Sequence, residues 1–179
     1  MNKWIEVIDQ TTLKFQDAFG KLNAEELNWK PAPEKWSIAQ NIDHLIVINK
    51  SYFPVIESLQ KGTYKTPFLG KLGFLVSFFG KTVLNSVNPD RRRKMRTFEI
   101  WEPAKSEISA NILNRFVDHQ SDLKNMIKHS RNLLINGAVI SSPANKNIVY
   151  TLEKAFDIIV LHEQRHFEQS KEVYHLMKL

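Results

Sequence analysis

His162 and His166 stand four residues apart within His162-Glu163-Gln164-Arg165-His166. In a helix, positions i and i+4 share a face, with β-carbons roughly 5–6 Å apart. Two imidazole nitrogens at that spacing can close on one transition-metal ion, each at about 2.0–2.1 Å if the ion is zinc. The stretch also fits the H-E-x-x-H pattern of zinc proteases, in which the glutamate is the general base. The longer protease pattern asks for glycine and then histidine at three and six residues past the second histidine. Gln169 and Glu172 occupy those places here. Residues 167–179 are too few for a further helix and its return, so a third protein ligand is expected from upstream. The plain alternative is a pair of ordinary core or surface histidines.

The elements that must position this pair read as helices. Ile5, Ile8, Thr12, Phe15, Phe19 and Leu22 recur at steps of three and four, the stripe of an amphipathic helix that Gly20 ends. Asn23 with Glu26 predicts a short capped turn before Pro31 and Pro33. Ser37 and Gln40 form a capping box for a second long helix, whose apolar face is Ile38, Ile42, Leu45, Ile48, Tyr52, Ile56 and Leu59. His44 lies on the flank of that face, where a lone histidine is ordinarily a packed or surface residue, and the want of a third ligand for the pair singles it out for attention; Pro54 should kink the helix. Glu102-Pro103 is expected to open a third long helix, proline being favourable at the first helical position. Its stripe is Ile108, Ile112, Phe116, Leu123, Met126 and Ile127, with His119 on the core side. Asn147 is expected to cap the last helix, from Ile148 to about Met177. Its inward stripe is Leu152, Ala155, Ile159, His162, His166, Val173 and Leu176, with Gln169 on the same line. Two imidazoles in a core stripe need partners, because a buried unpaired polar group costs about 1–3 kcal/mol. A metal ion supplies a partner to both.

No segment with a strand's period of two stands out. The expected fold class is therefore all-α: a four-helix bundle, a single domain over residues 1–179, with a long helical crossover insert between the second and third long helices. Bundles of this kind build metal sites from facing helices. Within the crossover, Phe68–Leu84 is rich in phenylalanine and leucine and reads as a short helix packed across the body, in preference to a membrane-surface or pocket helix.

The charge balance is +6, with 42% apolar and 25% charged residues and no cysteine. Thiolate metal sites, cysteine nucleophiles and disulfides are thereby excluded. Arg91-Arg92-Arg93-Lys94-Met95-Arg96 reads as a solvated loop rather than a phosphate patch, because no nucleic-acid-binding signature accompanies it. Nucleic-acid and membrane partners are not expected. Residues 1–6 lack the apolar core of a signal peptide, and no apolar run approaches the ~20 residues of a membrane span. The expected address is the cytoplasm.

Trp29-Lys30-Pro31, then Trp36-Ser37-Ile38 leading to His44-Leu45, and finally His162 through Gln169 together resemble the DinB/YfiT-like superfamily of helical bundles. The resemblance spans nearly the whole chain in element order. It implies up-down-down-up connectivity and one divalent metal held by His44, His162 and His166, with zinc or nickel the expected ion. It also implies a small-molecule substrate and an activity among thiol S-transferases, a thiol-dependent maleylpyruvate isomerase or metal-dependent hydrolases, with a small thiol as cosubstrate. His119 and Gln169 are candidates to line the substrate pocket, no catalytic base is assigned, and a homodimer is compatible with the resemblance. The alternative is a metal-binding, stress-associated bundle without turnover.

Overall fold

The computed structural model describes residues 2–90 and 97–179. The arginine-rich cluster 91–96 lies outside them. Four long helices carry the architecture: α1 (Asn2–Phe19), α3 (Ile38–Gln60), α5 (Ile112–His129) and α7 (Leu152–Met177), with the short α2 (Ala24–Asn28) between the first two. The long helices pack as a ring in which α7 and α5 each lie against both α1 and α3. Ser37 and Gln40 form the expected capping box at the start of α3, and Asn23 with Glu26 does the same for α2. The helix α3 continues through Pro54.

The crossover is partly helical. A 3-10 turn (Phe68–Lys71) leads into α4 (Gly73–Ser86), which packs on α7 and on the strand Asn145–Thr151. Gly80 allows the close approach: a β-carbon there would stand 3.0 Å from Lys154 Cγ and 3.4 Å from Tyr150 Cβ.

Four sequence expectations fail, each for a physical reason or against an observed placement. Pro103 does not open a helix. The backbone N–H of Ala104 donates to Asp43 Oδ2 (3.0 Å) and its carbonyl accepts from Gln40 Nε2 (2.9 Å). Asn28 grips Ile108 in the same two-handed way, at 2.9 and 2.7 Å. These side chains take the backbone groups a helix would have used, and α5 begins only at Ile112.

The chain is also not purely helical. After α6 (Arg131–Ile135), β1 (Val139–Ser142) and β2 (Asn145–Thr151) form an antiparallel hairpin around Pro143-Ala144. The β-branched and aromatic run Ile148-Val149-Tyr150-Thr151 pairs with Val139-Ile140-Ser141 and buries Ile140, Val149 and Tyr150. Consequently Asn147 is a strand residue. The cap of α7 is Thr151, whose hydroxyl accepts from the Lys154 backbone N–H. At the far end of α7, Leu176 is exposed rather than inward.

The apolar core falls into two clusters. One, towards the hairpin, gathers Trp4, Ile8, Tyr52, Ile56, Leu123, Ile127, Phe156 and Ile159. The other gathers Phe15, Phe19, Ile42, Leu45, Phe116 and Phe167. Between them along the four helices lies a buried polar band: Thr11 on α1, Asn49 on α3, His119 and Gln120 on α5, and Glu163 and His166 on α7.

The cap assignment is testable by urea unfolding. Thr151→Ala should cost about 1 kcal/mol, the usual loss at an N-cap. Asn147→Ala, at an exposed strand position, should stay within about 0.5 kcal/mol. The reverse order would restore Asn147 as the cap.

Candidate metal centre

Two helices bring three imidazoles to one point. The helix α3 supplies His44 and α7 supplies His162 and His166, and one ring nitrogen from each lies within 4.8 Å of the others. His162 Nε2 and His166 Nε2 are 3.0 Å apart. Two nitrogens on one tetrahedral zinc, at about 2.0–2.1 Å each, would be roughly 3.3 Å apart. The pair is thus close to the spacing a shared ion requires.

The remaining nitrogens are held by partners that fix where the protons sit. His44 Nδ1 is 2.6 Å from the backbone carbonyl of Trp101. A carbonyl only accepts, so Nδ1 carries the hydrogen and Nε2 keeps its lone pair. His166 Nδ1 is 2.7 Å from Asn41 Oδ1. The orientation of that amide is set by its own Nδ2, which donates to the Ser37 carbonyl at 2.8 Å. His166 therefore also donates through Nδ1 and presents a bare Nε2. Such outer partners fix the tautomer and orientation of metal-binding histidines. The Trp101 carbonyl is in turn located by the ties of Ala104 to Asp43 and Gln40, and by the Trp101 indole N–H on Ser51 Oγ at 3.1 Å.

Burial lowers the pKa of all three rings, most strongly for His162 and His166, where the neighbouring histidines and Arg165 add to the effect. All three are neutral at neutral pH and can donate lone pairs, as metal ligation requires. His44 and His166 are buried, while His162 is partly exposed and marks the side open to solvent. Trp36 packs over the other two rings, tilted against His44 at 4.8 Å and stacked on His166 at 5.9 Å. Arg165, between the paired histidines, donates to the Ser86 carbonyl at the end of α4 (2.8 Å).

Glu163 turns from the histidines into the bundle. It is fully buried, and Asn49 Nδ2 (2.8 Å) and Gln120 Nε2 (2.9 Å) donate to its two carboxyl oxygens. Burial raises its pKa to about 7 against the pull of those two amides. Asn49 Oδ1 and Gln120 Oε1 have no protein partner. When Glu163 holds a proton, either amide can turn over and accept it.

The sequence candidates separate cleanly. His44, His162 and His166 converge, and this donor set could hold a divalent ion. His119 and Gln169 are outside the group. Gln169 is half-buried, one turn beyond His166. His119 is buried and stacked on Phe53 at 5.7 Å, with neither ring nitrogen partnered. Sequence reasoning did not find the Trp101 carbonyl, Asn41 or the Trp36 cover. For Asn41 a signal existed, namely an amide three residues before His44 in an otherwise apolar helix face.

The sequence pattern of the DinB superfamily matches residues 8–170, a span that contains all three histidines. The chain belongs to the DinB superfamily. Comparison with curated proteins and with solved structures gives no match. In this DinB protein the motif tryptophan Trp36 is the residue that covers two of the three rings.

His119 generates a pH prediction. Burial, with Lys50 adding to it, lowers its pKa from 6.5 to about 4. The unfolded chain therefore binds the proton first, and stability is lost as pH falls from 6.5 through 4. Relative to His119→Phe, the wild type should lose up to roughly 3 kcal/mol across that window, at about 1.4 kcal/mol per pKa unit. Parallel stability profiles for the two proteins would show that His119 does not titrate this way.

Proposed function

We propose that this DinB protein is a metal-dependent enzyme of the thiol S-transferase or hydrolase type, acting on a small molecule. The observation that carries the reading is the pair of outer hydrogen bonds that His44 and His166 donate to the Trp101 carbonyl and Asn41 Oδ1, which leave both rings with a lone pair on Nε2. Hydrogen bonding through Nδ1 satisfies one side of each ring and leaves the other for a metal ion.

In this reading His44, His162 and His166 hold zinc or nickel. A three-imidazole set leaves a position for a further ligand, as catalytic rather than structural zinc sites do. Bound there, the ion supplies Lewis acidity towards a thiol or a water. The chain's own residues do the rest. Trp101 and Asn41 keep the Nδ1 protons in place, Trp36 shields two rings from water, and the partly exposed edge of His162 is where a substrate arrives. Glu163 is engaged by Asn49 and Gln120, so its role is to fix the register of α3, α5 and α7 around the site. The second reading, a metal-holding bundle without turnover, draws on the depth of burial of His44 and His166, at 2% and 5% exposure.

Metal titration followed by calorimetry and elemental analysis tests the ligand set. Wild type should take up one equivalent of zinc or nickel, and His44→Ala and His166→Ala should each lose stoichiometric binding. Asn41→Leu should still bind, about 10–100-fold more weakly, as loss of an outer partner usually costs. Retention of metal by both histidine variants would refute the site. Loaded wild type should then consume a small thiol in the presence of an electrophile panel, or hydrolyse an ester panel, and His44→Ala should not. A loaded protein inert to both panels would leave the second reading.

A further inference from the structure

The face of α4 turned away from the bundle carries what a membrane-surface helix needs. Phe68, Phe74 and Phe78 are 73%, 72% and 60% exposed, the most exposed phenylalanines among the described residues. Phe74 and Phe78 are one turn apart on α4, and Lys81 continues the same line three residues on. Lys71, in the 3-10 turn just before α4, brackets the pair from the other side. Ser77 and Thr82 complete this face with small polar groups, while the opposite face, with Val76 and Gly80 buried, packs on β2 and α7. The whole stretch 58–89 contains Lys61, Lys65, Lys71 and Lys81 and no aspartate or glutamate.

We infer that this face seats the protein on an anionic lipid surface, with α4 lying in the plane of the interface. The two properties of the face select the occupant together. Exposed aromatic rings ask for an apolar phase, and flanking lysines without a single acid ask for negative charge around it. Lysine stems can lie along the acyl boundary while their ammonium groups reach the headgroups. A second copy of the chain would place the same lysines opposite one another across a twofold contact, with no acid in the stretch to pair them. No described helix is long and apolar enough to cross a membrane, so the attachment is peripheral. The seat is joined to the histidine site, since Arg165 holds the Ser86 carbonyl at the end of the same helix.

Flotation of the full chain with vesicles tests this without reference to metal or activity. Vesicles of phosphatidylcholine with phosphatidylserine should carry about tenfold more protein than phosphatidylcholine alone, a preference that rising salt should erase. Phe74→Ser/Phe78→Ser should cut binding to the anionic vesicles by about tenfold or more. Lys71→Glu/Lys81→Glu should abolish the preference for them. All four positions are exposed, so circular dichroism and melting of the variants should match wild type. Failure to float with anionic vesicles, or equal flotation by the phenylalanine variant, would overturn the inference. So would a dimer, seen by sedimentation, that dissolves when Phe74 and Phe78 are replaced while vesicle binding is absent.

Discussion

The structure depends on a polar band through the middle of its core. Asn49, His119, Gln120, Glu163 and His166 are all buried between two apolar clusters. Such groups are costly unless their hydrogen bonds are made. For Glu163 and His166 that cost is met by bonds that link helices, while both ring nitrogens of His119 stay without a partner. Glu163 of α7 is held by α3 through Asn49 and by α5 through Gln120, and His166 of α7 is held by Asn41 of α3. A rotation or one-turn slip of any of these helices would strand several buried polar groups at once. The apolar clusters supply most of the driving force for collapse, and the band selects one register among the collapsed arrangements.

The band reaches the candidate metal site through His166, which His44 and His162 join there. Two of the site's three histidines are fixed by partners far away in sequence: His44 by Trp101, and His166 by Asn41. The first of these ties exists only because the segment after the crossover is stitched to α3 at Ala104 and to Asn28 at Ile108. Contacts of this range form after the intervening loops have closed. The ring geometry is therefore a property of the completed bundle, in which lone pairs are already aimed and little reorganisation remains when a ligand arrives. The cost of aiming them is met during folding.

The parts of this arrangement that could be read from the chain are those governed by local rules. The stripes of α1 and α3, the capping boxes at Asn23 and Ser37, and the core position of His166 follow from helical periodicity and side-chain capping. The histidine pair follows from spacing, and His44 as their companion came with the family resemblance. What could not be read came from competition between local and distant partners. Pro103 looks like a helix start until Asp43 and Gln40, some sixty positions away, claim the backbone of Ala104. Asn147 looks like a cap because Ile148 begins an apolar run, but that run pairs across a hairpin with Val139–Ser141. Four residues of mixed Asn, Ile, Val and Tyr carry too short a pattern to separate strand from helix start. Trp101's role lies in a backbone carbonyl, which no side-chain pattern reports.

Nitrogen-15 NMR of the histidine rings tests the central claim most directly, because it reads tautomers and ligation atom by atom. With the metal removed, His44 and His166 should both be neutral with the proton on Nδ1 at neutral pH. On adding zinc, the Nε2 signals of His44, His162 and His166 should shift together and saturate at one equivalent, while His119 stays unmoved. A proton on Nε2 of His44 or His166 in the metal-free protein, or a zinc response confined to His162 and His166, would contradict the account.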